Sequence, residues 1–146
     1  MTKNDTDRPT VMLVNDSDKN ARMKQSLELN GYCVLEAKDA HEAVEEAFDY
    51  TRRERPDVIL LDLHQPQDGF NAVCRIRNGG GLGQVPIVLI SNLQEASFYA
   101  EVLAAGCSEF VTRPVEFDQL KVLLDGLLPS FAEAEDRKPK VQSARM

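Results

Sequence analysis

The sequence predicts an α/β protein in three layers, a parallel sheet covered by helices on both faces, and two observations predict it. First, Val11-Met12-Leu13-Val14, Val58-Ile59-Leu60-Leu61 and Ile87-Val88-Leu89-Ile90 are continuously apolar, and Phe110-Val111-Thr112 is nearly so. A strand covered on one face alternates apolar with polar residues, whereas a strand buried on both faces does not. Second, the stretches between these runs carry helical period. The order is therefore β-α repeated five times, which calls for right-handed crossovers.

Each element has its own signal. The first strand is Val11 to Val14. Met23 and Leu27 then stand four residues apart after a cap at Ser17 or Asp18, and Gly31 stops that helix. Cys33-Val34-Leu35 is a short second strand. After Asp39, residues Ala40, Ala43, Val44 and Ala47 repeat with the spacing of one helical face. The third strand, Val58 to Leu61, is followed by a helix marked by Phe70, Val73 and Ile76. Ile87 to Ile90 precedes a helix from about Gln94 to Ala105, which Gly106 terminates. Phe110-Val111-Thr112 is the last strand, and Phe117, Leu120, Leu124 and Leu127 form the clearest stripe of all. We expect a disordered N-terminus at 1–9, one folded unit at 10–128, and a polar tail of mixed charge at 129–146.

Length and composition fit one such unit. The 146 residues are 42% hydrophobic and 28% charged, and a chain of this size buries roughly 70% of its unfolded surface without disulfides or structural metal. The 24 acidic and 17 basic residues leave a net charge of −7, with no Lys or Arg run. Nucleic acids and anionic membranes both require clustered positive charge, so neither is expected as a direct partner. No apolar stretch is long enough to span a bilayer, and Met1 to Thr10 lacks the apolar segment of a signal peptide, which predicts a cytoplasmic protein. Cys33, Cys74 and Cys107 are far apart and form no C-x-x-C pair. They read as small, mostly buried hydrophobes.

In an open parallel sheet the functional crevice lies beyond the carboxyl ends of the strands. Here Asn15-Asp16 follow the first strand, Asp62 the third, Ser91-Asn92 the fourth and Arg113-Pro114 the fifth. Any one of these is an ordinary turn former, helix cap or surface ion pair. Their coincidence at one sheet edge points to a site. Two carboxylates held together favour a divalent cation, and their hard oxygens suit Mg²⁺. With a hydroxyl and a cation added, the set can bind and stabilise a phosphoryl group.

Asp16, the run Asp57 to Leu63 with Pro66 and Asp68-Gly69 downstream, Pro86 to Ser91, and Ala105-Gly106 through Phe110-Val111-Thr112-Arg113-Pro114 together resemble the receiver domain of bacterial two-component response regulators. The resemblance covers roughly Thr10 to Leu128. It implies a flavodoxin-like (βα)5 fold with strand order 2-1-3-4-5 and Asp62 as phosphoacceptor. The phosphoryl donor would be a sensor histidine kinase or a histidine phosphotransfer protein, and the only catalysis would be the domain's own phosphorylation and dephosphorylation. Mg²⁺ would be held by Asp16, Asp62 and the backbone carbonyl of His64. Ser91 would donate its hydroxyl to a phosphoryl oxygen, and Phe110 would be the aromatic switch residue. The Arg113-Pro114 bond corresponds to one that is usually cis. If exposed, Tyr99 would lie on the face made by the fourth helix, fifth strand and fifth helix, which such proteins use for downstream protein targets or homodimers; core packing of both Phe98 and Tyr99 is the other reading. The residues after Leu128 are too few and too polar for a DNA-binding output, so a single-domain regulator is expected.

Four features depart from the family pattern. Arg113 stands where Lys is usual, replacing a point charge by a planar fork that either reaches the acceptor or swings outward. Asn15 replaces the first member of an acidic pair. A unit pair at about 4 Å and an effective dielectric of 20 is worth about 4 kcal/mol before hydration, so weaker Mg²⁺ binding follows, although the amide oxygen can still hold a metal-bound water. The loop Leu63 to Gly69 is one residue short and carries Gln65 where an apolar residue is typical. Asn92 also replaces a tiny residue and is expected to hinder the phosphodonor. A degenerate receiver, acting as a phosphorylation-independent interaction module, is the alternative these departures motivate. Two further features read as ordinary: the glycines 79–83 as a connector, because they follow a helix and precede a strand, and His41 as part of a solvated helix face.

Overall fold

The computed structural model describes residues 8–17, 21–47, 55–78, 82, 84–92 and 96–128. The elements are β1 (Thr10–Asn15), α1 (Ala21–Leu29), β2 (Cys33–Ala37), α2 (Ala40–Ala47), β3 (Val58–Asp62), α3 (Pro66–Asn78), β4 (Ile87–Ser91), α4 (Ala96–Ala105), β5 (Glu109–Thr112) and α5 (Phe117–Leu127). The strands form one sheet in the order β2-β1-β3-β4-β5, with every neighbouring pair parallel. The parallel three-layer arrangement is the one expected from the apolar runs and the helices between them, and the strand order is the flavodoxin-like one that the receiver resemblance implies.

The uninterrupted apolar runs have the reason anticipated for them. Met12, Val14, Ile59, Leu61, Ile87 and Leu89 face one core with Ala43, Val73, Ile76 and Val102 of α2, α3 and α4. The intervening residues Val11, Leu13, Val58, Leu60, Val88 and Ile90 face the other, with Leu27, Leu120 and Leu124 of α1 and α5. Alternation sends successive residues to opposite faces, and both faces are covered. β2, at the sheet edge, is buried fully only at Ala37, which is why its run is the weakest in the sequence.

Local signals set the element ends. Asp39 Oδ1 accepts the Glu42 N–H at 2.9 Å and Glu42 Oε1 accepts the Lys38 N–H at 2.8 Å, capping α2 at both turns of the entering chain. Gly31 and Gly106 adopt φ of 94° and 119°. In each case the next residue's N–H returns five residues, Tyr32 to the Leu27 carbonyl and Cys107 to that of Val102, both at 3.1 Å. These are Schellman terminations, in which a left-handed residue satisfies the last helical carbonyls.

The structure also corrects several boundaries. Asn15, Asp62 and Ser91 are the last residues of their strands rather than the first residues after them. Leu63 to Gly69 is not one loop, because α3 already begins at Pro66, a residue preorganised for a first helical position. Of the cysteines only Cys107 is buried, while Cys33 and Cys74 are half-buried; Cys33 lies on the edge strand and Cys74 on a flank of α3. Expectations for residues 1–7, the Asp18 cap, the glycines 79–81 and 83, the start of the fourth helix at Gln94, and the tail 129–146 lie outside the described residues.

Candidate functional site at the carboxyl edge of the sheet

Parallel register is what brings the polar residues together. Asn15 is paired with Asp62 across β1 and β3, and Ser91 with Thr112 across β4 and β5. The Arg113 N–H then donates to the Ser91 carbonyl at 3.0 Å, extending the ladder one residue beyond β5. Three apolar strands thus end on polar side chains at one rim. Two of these, Asp62 and Ser91, are buried, at 4% and 3% exposure.

Arg113 points inward. Its Nη2 donates to Asp62 Oδ1 and, at 3.2 Å, to the Leu63 carbonyl, while Nη1 reaches Asn92 Oδ1 at 3.5 Å. The outward alternative for this side chain is excluded. A guanidinium with five fixed donors can serve three acceptors at once, and a nearly buried carboxylate requires a charged or hydrogen-bonded partner. The Arg113-Pro114 peptide is cis.

Asp16 lies beside His64. Nδ1 of His64 is 2.7 Å from Asp16 Oδ1, and the His64 backbone N–H approaches Oδ2 at 3.4 Å. Asn15 folds its amide oxygen back onto the Ser17 N–H at 2.9 Å, an Asx turn that shapes the exit from β1. Both carboxylates expected to hold Mg²⁺ therefore have protein partners here. Among the described residues no group of three or more His, Cys, Asp and Glu side chains is placed to hold a metal. The donor chemistry nevertheless fits Mg²⁺, which is bound through one or two carboxylates and retains several waters.

Phe110 and Tyr99 do not stand apart from the core. Tyr99 is half-buried, its ring centroid 4.1 Å from that of Phe110, and Phe98 packs edge-on against the same ring at 5.9 Å. Tyr99 thus lies between the exposed and the core-packed readings, because Phe110 on β5 presents a ring that both aromatic neighbours of α4 can reach. Leu103 of α4 and Val122 of α5, 50% and 74% exposed, are among the large apolar residues left uncovered. The sequence reading missed the imidazole of His64 on Asp16 and the amide of Asn92 at Arg113. Both are exposed polar residues with no periodicity to mark them; only their position one or two residues after a strand was a signal.

The fold and this rim are those of a receiver-like α/β module, with polar groups gathered at the carboxyl edge of a parallel sheet. Residues 11–125 match the response regulator receiver domain model, and the chain belongs to that family. The response regulator MprA of Mycolicibacterium vanbaalenii is 30% identical over 123 residues, which are 82% of this chain and 51% of the relative. The chain spans about half the length of the curated relatives it matches. Among solved structures, the chemotaxis protein CheY4 of Vibrio cholerae superimposes with a TM-score of 0.71 at 27% identity, covering 83% of this chain and 99% of that one. The receiver domain of the sensor histidine kinase PA1611 of Pseudomonas aeruginosa, which has a magnesium ion coordinated in its active site cleft, gives 0.68 at 27%, covering 84% and 99%. No helix among the described residues is long and apolar enough to cross a membrane.

Proposed function

We propose that this receiver accepts a phosphoryl group on Asp62 from the phosphohistidine of a sensor histidine kinase or histidine phosphotransfer protein. A carboxylate oxygen of Asp62 attacks phosphorus, the P–N bond breaks, and the imidazole leaves with the bonding pair; the product is an aspartyl phosphate. Asp16, Asp62 and the His64 carbonyl would hold Mg²⁺, with Asn15 contributing through a water. Bound there, the cation would offset the charge of the phosphoryl oxygens. Ser91 donates its hydroxyl to one of those oxygens, and Arg113 supplies fixed positive charge at the acceptor.

The observation that carries this reading is the Arg113 guanidinium on a nearly buried Asp62 at the end of the central strand β3. Output through α4, β5 and α5 is proposed with it, supported by the aromatic cluster that joins Phe110 of β5 to Phe98 and Tyr99 of α4. Phosphorylation would bias an existing two-state equilibrium by new contacts at Ser91 and Arg113.

Incubation with Mg²⁺ and a small acyl phosphate, followed by intact-mass measurement, tests it. One phosphoryl adduct on the wild-type protein and none on Asp62→Asn is the expected result. An unmodified wild type, under conditions that label another receiver, would sink the reading in favour of an interaction module that works without phosphorylation.

A further inference from the structure

We infer that Asn92 is a positioning residue for Arg113, so that this site is built around an arginine fork and not around a cation of any shape; the inference rests on the acceptor role proposed for Asp62. The contacts of Arg113 come from two strand ends. Nη2 spans Asp62 Oδ1 and the Leu63 carbonyl after β3, whereas Nη1 is met by Asn92 Oδ1 directly after β4. The backbone of Arg113 is fixed to the Ser91 carbonyl, the residue before Asn92. The same short segment therefore anchors the base of the side chain and one edge of its plane.

Asp62 and Leu63 take both in-plane hydrogens of Nη2 and so hold one edge of the planar guanidinium, but they leave its other terminal nitrogen to be met elsewhere. Asn92 supplies the second nitrogen's acceptor. At 3.5 Å this contact sits at the outer limit of hydrogen bonding, so it orients the fork more than it binds it. A lysine ammonium carries all its donors on one atom and has no second nitrogen for Asn92 to meet. The side-chain amide at position 92, read from sequence as an obstacle to the phosphodonor, thereby gains a purpose that depends on residue 113 being Arg.

The test is a double-mutant cycle with Asn92→Ala, Asn92→Gln, Arg113→Lys and Asn92→Ala/Arg113→Lys. Two readouts separate the pairing from the acceptor chemistry. The first is the ¹⁵N spectrum of the Arg113 side chain, in which hindered rotation in the wild type gives distinct Nη1 and Nη2 signals. Asn92→Ala is expected to speed the exchange between them, read from line broadening, with the Nη2 contacts to Asp62 and Leu63 still in place, and Asn92→Gln, which keeps an amide oxygen, to speed it less. The second is the rate of adduct formation with acyl phosphate. Asn92→Ala is expected to slow it about twofold, the low end of what one hydrogen bond is worth, and to produce no further slowing beside Arg113→Lys. Unchanged Nη signals in Asn92→Ala, or equal slowing in the Arg113 and Lys backgrounds, would overturn the pairing. Faster exchange in Asn92→Ala without an adduct in any variant would support the pairing and defeat the acceptor reading instead.

Discussion

At the scale of single residues, burial decides which polar groups can act. Ser91 is 3% exposed at the end of β4, beside the strand that ends in Asp62. In the function proposed above a hydroxyl held there would act as a preorganised donor, and removal of such a donor characteristically costs rate far more than stability. Ser91→Ala is therefore expected to slow adduct formation on Asp62 at least ~10-fold while lowering unfolding free energy by about 1 kcal/mol; stopped-flow or mass-resolved labelling against urea melts separates the two. Cys107 shows the opposite case, a reactive group made inert by burial. Burial pushes its thiol up to about 11, outweighing backbone contacts at Glu109 and Leu89 and the field of Arg77, which lower it. At pH 8 a thiol reagent should thus modify the half-buried Cys33 and Cys74 well before Cys107, which should react only on unfolding. Equal labelling of all three in the folded protein would contradict the packing. The site's strand-end residues were legible in the sequence because each follows an apolar run. Leu63, His64 and Asn92 as contact groups were not, because which atom just past a strand end meets which partner depends on the rotamers of Arg113, His64 and Asn92, which no periodicity records.

At the scale of elements, one arginine ties three segments together. Arg77, near the end of α3, donates Nε to the Gly106 carbonyl at 2.9 Å and Nη1 to those of Leu82 and Val85 at 3.1 and 2.7 Å. It therefore satisfies carbonyls of both the entry to β4 and the α4-β5 turn. Arg77→Ala leaves these acceptors without that donor and is expected to destabilise the fold by about 2–3 kcal/mol, read from urea unfolding; a loss below about 0.5 kcal/mol would mean that water replaces the guanidinium freely. Gly106→Ala attacks the same joint from the other side. Its backbone has a φ of 119°, and an added Cβ would stand 2.8 Å from Arg77 Cγ and Nε, so strain and collision act together. The sequence marked Gly106 as a helix terminator, which it is. That the same glycine leaves room for an arginine from α3 was not readable, since the pairing joins residues 29 apart whose proximity only the crossover topology creates.

At the scale of the whole molecule, the doubly buried sheet was the most legible feature, because two cores impose two apolar faces on every central strand. What closes the molecule along its α1 and α5 side was less so. Tyr32, 2% exposed just before β2, donates its hydroxyl to Asp125 Oδ1 of α5 at 2.6 Å across 93 residues of sequence. Lys121 binds the other oxygen of Asp125 at 2.8 Å and lies over the Tyr32 ring, 5.7 Å from its centroid. Burial, then the hydrogen bond and charge of Asp125, raise the Tyr32 phenol well above its ordinary value. The folded state thus binds the phenolic proton more tightly than the unfolded chain, where ionisation begins near pH 10. This contribution is complete below that pH and is lost as pH rises above it toward the folded value. Cys107, also raised, adds a loss of the same sign that starts from the lower pH of an unfolded thiol. Asp125 acts oppositely: burial raises it, but its bonds to Lys121 and Tyr32 prevail and lower it, so its share is lost in acid. Unfolding free energy should therefore decline from about pH 9 upward, in two parts. Tyr32→Phe is expected to cost about 1 kcal/mol at pH 7 and to flatten the part above about pH 10, while Cys107→Ser leaves that part in place. Urea titrations at stepped pH measure both slopes, and an unchanged alkaline slope in Tyr32→Phe would show that the phenol does not hold α5 to the sheet by this bond.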